Sequence, residues 1–178
     1  MAEMGLDAPV NLPQARRLFE QCAELGIAQC QYDLAVYLAI GKGGPANLER
    51  AASWYRKAAD QNMAPAINNL ADMYETGSGV PQDLPQAIRL YRRAASEGES
   101  AALYSLGTLY ERGVGMPSNA YLAYVYYQTA HHADQQDSSA QALQRVGKTL
   151  SKEQIERAQA EAKAWRRDKP LPGTSAPH

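Results

Sequence analysis

Cys22 and Cys30 are the chain's two cysteines, with seven residues between them. They can bridge, or they can sit as two small buried thiols, because free Cys packs as an apolar residue. Two thiolates alone do not complete a metal site. His131 and His132 are adjacent, so on a helix they point about 100° apart and cannot share an ion as an i, i+4 pair could. The loops GKGGP (41–45) and TGSGVP (76–81) are rich in glycine, yet neither has phosphate-loop spacing and neither follows a strand. No nucleophile elbow is present, and no motif places a Ser/His/Asp or Cys/His set. The expectation is a protein that is not an enzyme, with no catalytic residue, no metal and no cofactor. A hydrolase is the remote alternative.

The remaining candidates are aromatic and polar residues, and their roles depend on the elements that hold them. Of the 178 residues 45% are hydrophobic, which suffices for a core in one domain. Tyr 11 against Phe 1 favours rings that pack while their hydroxyls meet water or a partner. Lys+Arg 18 against Asp+Glu 19 leaves a formal charge of −1, so no basic field recruits nucleic acid. No apolar run approaches the roughly 18 residues that span a bilayer, so membrane insertion is not expected.

Residue types recur every 36 positions. One column is Leu34, Leu70, Leu106; another is Pro9, Pro45, Pro81, Pro117; glycines pair as Gly41/Gly43, Gly77/Gly79 and Gly113/Gly115. Asn11, Asn47, Asp83 and Asn119 are short polar residues suited to capping a helix start. Gly26, Asn62 and Gly98 suit the matching helix ends, where a left-handed residue is favoured, and Asp134 is a weaker stop in the last copy. Each unit is therefore a helix A, a glycine loop and a helix B. Ile67, Leu70, Ala71 and Tyr74 form one apolar face of helix A, and Ala87, Leu90, Tyr91 and Ala94 one of helix B. A single pair cannot bury these faces, so the units must stack.

The pattern, clearest over 64–98 with Leu70, Tyr74, Gly77, Gly79, Val80, Asp83, Ala87, Tyr91, Ala94, Ala95 and Gly98 in place, resembles the Sel1-like repeat, a relative of the tetratricopeptide repeat. The resemblance implies an all-α, right-handed α-solenoid of stacked antiparallel helix pairs. It divides residues 1–168 into a half repeat (5–26), repeats at 28–62, 64–98 and 100–134, and a degenerate capping unit (135–168). Ser151 and Gln154 form a candidate capping box for the last helix, and 169–178 reads as a flexible tail. Cysteine-rich secreted members of the family carry a similar C-x7-C bridge. That implies a Cys22–Cys30 disulfide and a periplasmic or secreted protein whose leader is absent from this chain, with the cytoplasm as alternative.

In related solenoids helix A lines the concave side, and the family's members are protein-binding scaffolds. The residues this assigns to a partner protein or peptide are Tyr32, Val36, Ile40, Asn68, Asp72, Met73, Thr76, Tyr104, Thr108 and Arg112. Tyr121 and Tyr124 on the third helix B form a second patch. The expected role is a monomeric bacterial adaptor or scaffold. An immunity-type inhibitor that blocks a toxic effector is the alternative, so the partner is an envelope protein or an effector toxin.

Overall fold

The computed structural model describes residues 11–134, 137–167 and 169–174. Gly5 and Pro9 of the half repeat, and the tail beyond 174, lie outside the described residues. Those described form helices with no strand: α1 (Leu12–Glu24), α2 (Ala28–Ile40), α3 (Leu48–Asp60), α4 (Ala64–Thr76), α5 (Leu84–Ser96), α6 (Ser100–Arg112), α7 (Ala120–Asp134), α8 (Asp137–Gly147) and α9 (Lys152–Ala164). From α1 to α8 each packs on its neighbours in chain order, and α9 returns against α7, which makes an all-α repeat solenoid. Helices α2, α4 and α6 are the A helices; α1, α3, α5 and α7 are the B helices. Among the described residues no helix is long and apolar enough to cross a membrane.

The cap column works as its chemistry requires. Asn11, Asn47, Asp83 and Asn119 each accept from the backbone N–H three residues on. Asn62 takes φ 62° where the units on either side use Gly26 and Gly98. Alanines form much of the buried seam, with Ala35, Ala71, Ala87 and Ala123 at 1% exposure or less, so adjacent helices approach closely. Gly107 continues this column, and a Cβ there would lie 2.7 Å from the Tyr127 ring.

The two glycines of each loop do different work. Gly77, at φ 74°, ends α4 by turning left-handed and donating its N–H to Met73. Gly79 lets the loop settle on the start of the preceding repeat's helix B, where a Cβ would lie 2.4 Å from the carbonyl carbon of Leu48. Gly43 meets Leu12 in the same way, one repeat earlier.

Cys22 and Cys30 are bonded, with Cα atoms 5.6 Å apart, and they tie the end of α1 to the first turn of α2. Closing a loop this short restricts the unfolded chain by about 2.5 kcal/mol in the loop-entropy treatment. Cys22→Ser/Cys30→Ser is therefore expected to lower stability by about that amount, read by denaturant unfolding against the native chain with and without reductant. Identical curves for native and variant chains under oxidising conditions would show that the bond is not formed in solution.

The C-terminal end carries a capped helix and a packed segment beyond it. Ser151 and Gln154 make both bonds of a capping box at the start of α9. The segment expected to be a flexible tail packs back instead as far as it is described. Leu171 is buried at 7% exposure, and the hydroxyl of Tyr126 donates to the Pro172 carbonyl at 2.9 Å. Tyr126 is fully buried, so its hydroxyl needs a partner, and this backbone oxygen supplies it.

Candidate interaction face

The A helices repeat in register, so three rows of side chains line up across α2, α4 and α6. They are Tyr32/Asn68/Tyr104, Val36/Asp72/Thr108 and Ile40/Thr76/Arg112. Within each helix the three lie at i, i+4 and i+8, one stripe of the cylinder. Ile40 is 67% exposed, Asp72, Thr76 and Arg112 are exposed, and Tyr32, Val36, Tyr104 and Thr108 are half-buried. Asn68 and Met73 depart from the expected face. Both are 6% exposed, and Met73 joins the hydrophobic core because it sits one residue off the stripe.

The stripe is fixed from behind by tyrosines of the B helices that sequence reasoning took only for core. Tyr32 packs on Tyr55 at 5.9 Å between ring centroids, and Tyr104 on Tyr127 at 5.1 Å. Tyr91, fully buried, reaches its hydroxyl to Asp72 and to Glu75, the latter at 2.7 Å. Tyr127 donates to Glu111 at 2.6 Å, with the Thr108 hydroxyl 3.2 Å away. Arg145 of α8 then grips Glu111 with two N–H groups at 2.7 and 2.8 Å. The 36-residue spacing from Tyr55 through Tyr91 to Tyr127 was the signal for this ladder. Arg145 had no such signal, because α8 departs from the repeat.

These contacts set the ionisation of the face. Burial raises the Tyr91 phenol, and the carboxylates of Asp72 and Glu75 raise it further. Asp72 itself is pushed up, mainly by desolvation and also by Glu75, against a lowering bond from Tyr91. Glu111 is held below the usual carboxylate range, first by the Arg145 hydrogen bonds. Charge is also sorted by helix. The A helices carry Asp33, Asp72, Glu75 and Glu111 against a single Arg112, whereas α5 carries Arg89, Arg92 and Arg93 with no acid.

The second expected patch lies against the lid helix. Tyr124 is 6% exposed, and Gln159 donates to its hydroxyl at 3.4 Å. Tyr121 donates to Glu161 at 2.8 Å. Both rings hold the lid helix α9 against α7.

The Sel1 repeat model matches residues 1–27, 28–63, 64–99 and 100–130. The chain belongs to the Sel1 repeat family. A protective antigen present in uropathogenic Escherichia coli strains, displaying an SLR fold, superposes with a TM-score of 0.80 at 27% identity over 90% of this chain and 34% of its own. A Sel1 repeat protein from Oxalobacter formigenes gives 0.69 at 26% identity, over 85% of this chain and 62% of its own. The chain thus spans about a third of the first relative and under two thirds of the second. No curated protein matches it. Sel1 repeats are in general protein–protein interaction modules.

Proposed function

We propose that this Sel1 repeat chain is a non-catalytic adaptor that holds a partner protein or peptide on the stripe formed by α2, α4 and α6. The observation that carries the reading is the three-by-three register of the A helices, backed by buried tyrosines. Side chains locked before binding lose little freedom on contact, so affinity is not spent on ordering them. The mix of Tyr, Ile, Arg and Thr also suits an interface better than a solvated charged face would. The Cys22–Cys30 bond supports a place of action in an oxidising compartment such as a periplasm.

The test uses exposed positions, where substitution leaves stability within about 0.5 kcal/mol. Purified native chain and the Ile40→Glu/Arg112→Glu variant are used to capture partners from extract of the source organism. The expected result is a stoichiometric partner whose affinity falls at least tenfold in the variant. A partner held equally by both chains would move the site off the A-helix stripe.

A further inference from the structure

The third repeat of this protein neutralises its A-helix carboxylate, and the second repeat does not. Glu111 of α6 receives the Tyr127 hydroxyl and two N–H groups of Arg145, which comes from α8, two helices on. Glu75, 36 residues earlier on α4, receives the Tyr91 hydroxyl in the same way. The corresponding helix two places on from α4 is α6, and its only base, Arg112, stands at its last residue and forms no ion pair among the described residues. Asp72 adds a second carboxylate one turn before Glu75. Tyr91 has one hydroxyl hydrogen to offer the two of them. One of the pair is therefore always left without that bond.

A separate observation falls on the same stripe. Asn68 lies one turn before Asp72 and is 6% exposed, and its Oδ1 has no hydrogen-bond partner, while its Nδ2 donates only to Asn69 at 3.4 Å. Rows on either side place tyrosine rings at this position, Tyr32 and Tyr104. The middle repeat alone exchanges the ring for a buried acceptor beside two under-matched carboxylates. A buried acceptor left unpaired costs about 1–3 kcal/mol, so it invites a donor from outside.

We propose that Asp72 and Glu75, with Asn68 beside them, form the seat for an arginine side chain of the partner protein. The guanidinium brings five N–H donors in a planar fork, enough to bond both carboxylates at once, as Arg145 bonds both oxygens of Glu111. The acidic bias of the A helices favours the approach of a basic segment and disfavours an acidic one. The assignment rests on the A-helix stripe being the partner surface, and it names what that surface recognises.

The probe is a fluorescein-labelled peptide of alternating glycine and arginine, followed by anisotropy against the full chain. The comparison peptide carries citrulline, arginine's neutral isostere. The native chain is expected to bind the arginine peptide saturably, with binding weakening as salt rises, and to leave the citrulline peptide free. Asp72→Asn/Glu75→Gln is expected to lose at least tenfold in affinity, whereas Glu49→Gln/Asp60→Asn, which removes two exposed acids from α3, stays within twofold. Arg145→Ala, which bares Glu111, is expected to add a second, weaker binding event. The Asp72→Asn/Glu75→Gln chain keeps its fold because relief of like charge does not destabilise, and its melting curve confirms this. Absence of saturable binding, equal binding of citrulline, or a loss as large in the α3 variant would overturn the seat. A natural partner lost by Ile40→Glu/Arg112→Glu but kept by Asp72→Asn/Glu75→Gln overturns the arginine seat alone. A partner kept by both overturns the surface reading beneath it.

Discussion

Gly79→Ala is expected to destabilise the chain by about 2–5 kcal/mol, more than Gly77→Ala in the same loop. Two costs add. The backbone sits at φ 71°, where a Cβ costs about 1–2 kcal/mol. The new methyl would also lie 2.4 Å from the carbonyl carbon of Leu48 and 2.5 Å from its oxygen, so backbone must move and overpacking adds about 1–3 kcal/mol. Gly77→Ala isolates the first cost. Its φ is 74°, but its Cβ would meet Gln82 at ordinary contact, 3.4 Å. Urea unfolding reads both variants as midpoint shifts. Equal losses would show that the loop does not rest on the preceding repeat as described.

Tyr91→Ala is expected to cost about 3–5 kcal/mol, the usual range for truncating a fully buried aromatic. The more informative variant is Tyr91→Phe, which keeps the ring and removes the one donor shared by Asp72 and Glu75. A loss of about 1–2 kcal/mol is expected at neutral pH. Tyr127→Phe should cost less, because Arg145 still bonds Glu111. The pH dependence separates the two sites. Asp72 has a raised folded-state pKa, so its ionised form opposes folding, and the Tyr91→Phe deficit shrinks as pH falls through that value. Glu111 has a lowered folded-state pKa. Its contribution is present above the ordinary carboxylate range and disappears as pH falls through the folded value. Chemical denaturation of both variants between pH 7 and pH 3, an interval chosen to bracket about 4 for free carboxylates, checks that the Tyr91→Phe deficit fades at a higher pH than the Tyr127→Phe deficit. Parallel curves would contradict the assignment of Tyr91 to the carboxylate pair.

The helices were legible in the sequence because caps and glycines repeat on a fixed period and each has one local job. Asn47, Asp83 and Asn119 read correctly as caps from residue type alone. The closeness of Gly79 to Leu48 was not legible, since a glycine needed for a turn and one needed for approach look alike in one dimension. The face was half legible. Periodicity placed Tyr32, Asp72 and Thr108 on helix A, but it could not tell that Asn68 and Met73 are covered, because burial depends on the neighbouring pair. Arg145 was invisible, lying where the pattern lapses. Lys169 to Thr174 looked like an unstructured tail from its prolines, and buried Leu171 with the hydroxyl of Tyr126 gives that stretch of backbone a place to sit.

The seat of Gly79 on Leu48 is the seat of Gly43 on Leu12, moved one unit along. Helix pairs touch the pair before and the pair after, and among the described residues little else. A gene duplication of 36 codons would therefore open one such junction and close two identical ones, with no new surface to invent. Array length can drift by whole units while the face grows or shrinks in step, and single units can change their side chains without disturbing those beyond their neighbours. The exchange of a ring for Asn68 in the middle unit is a change of this kind, made inside one copy and tolerated by both copies beside it.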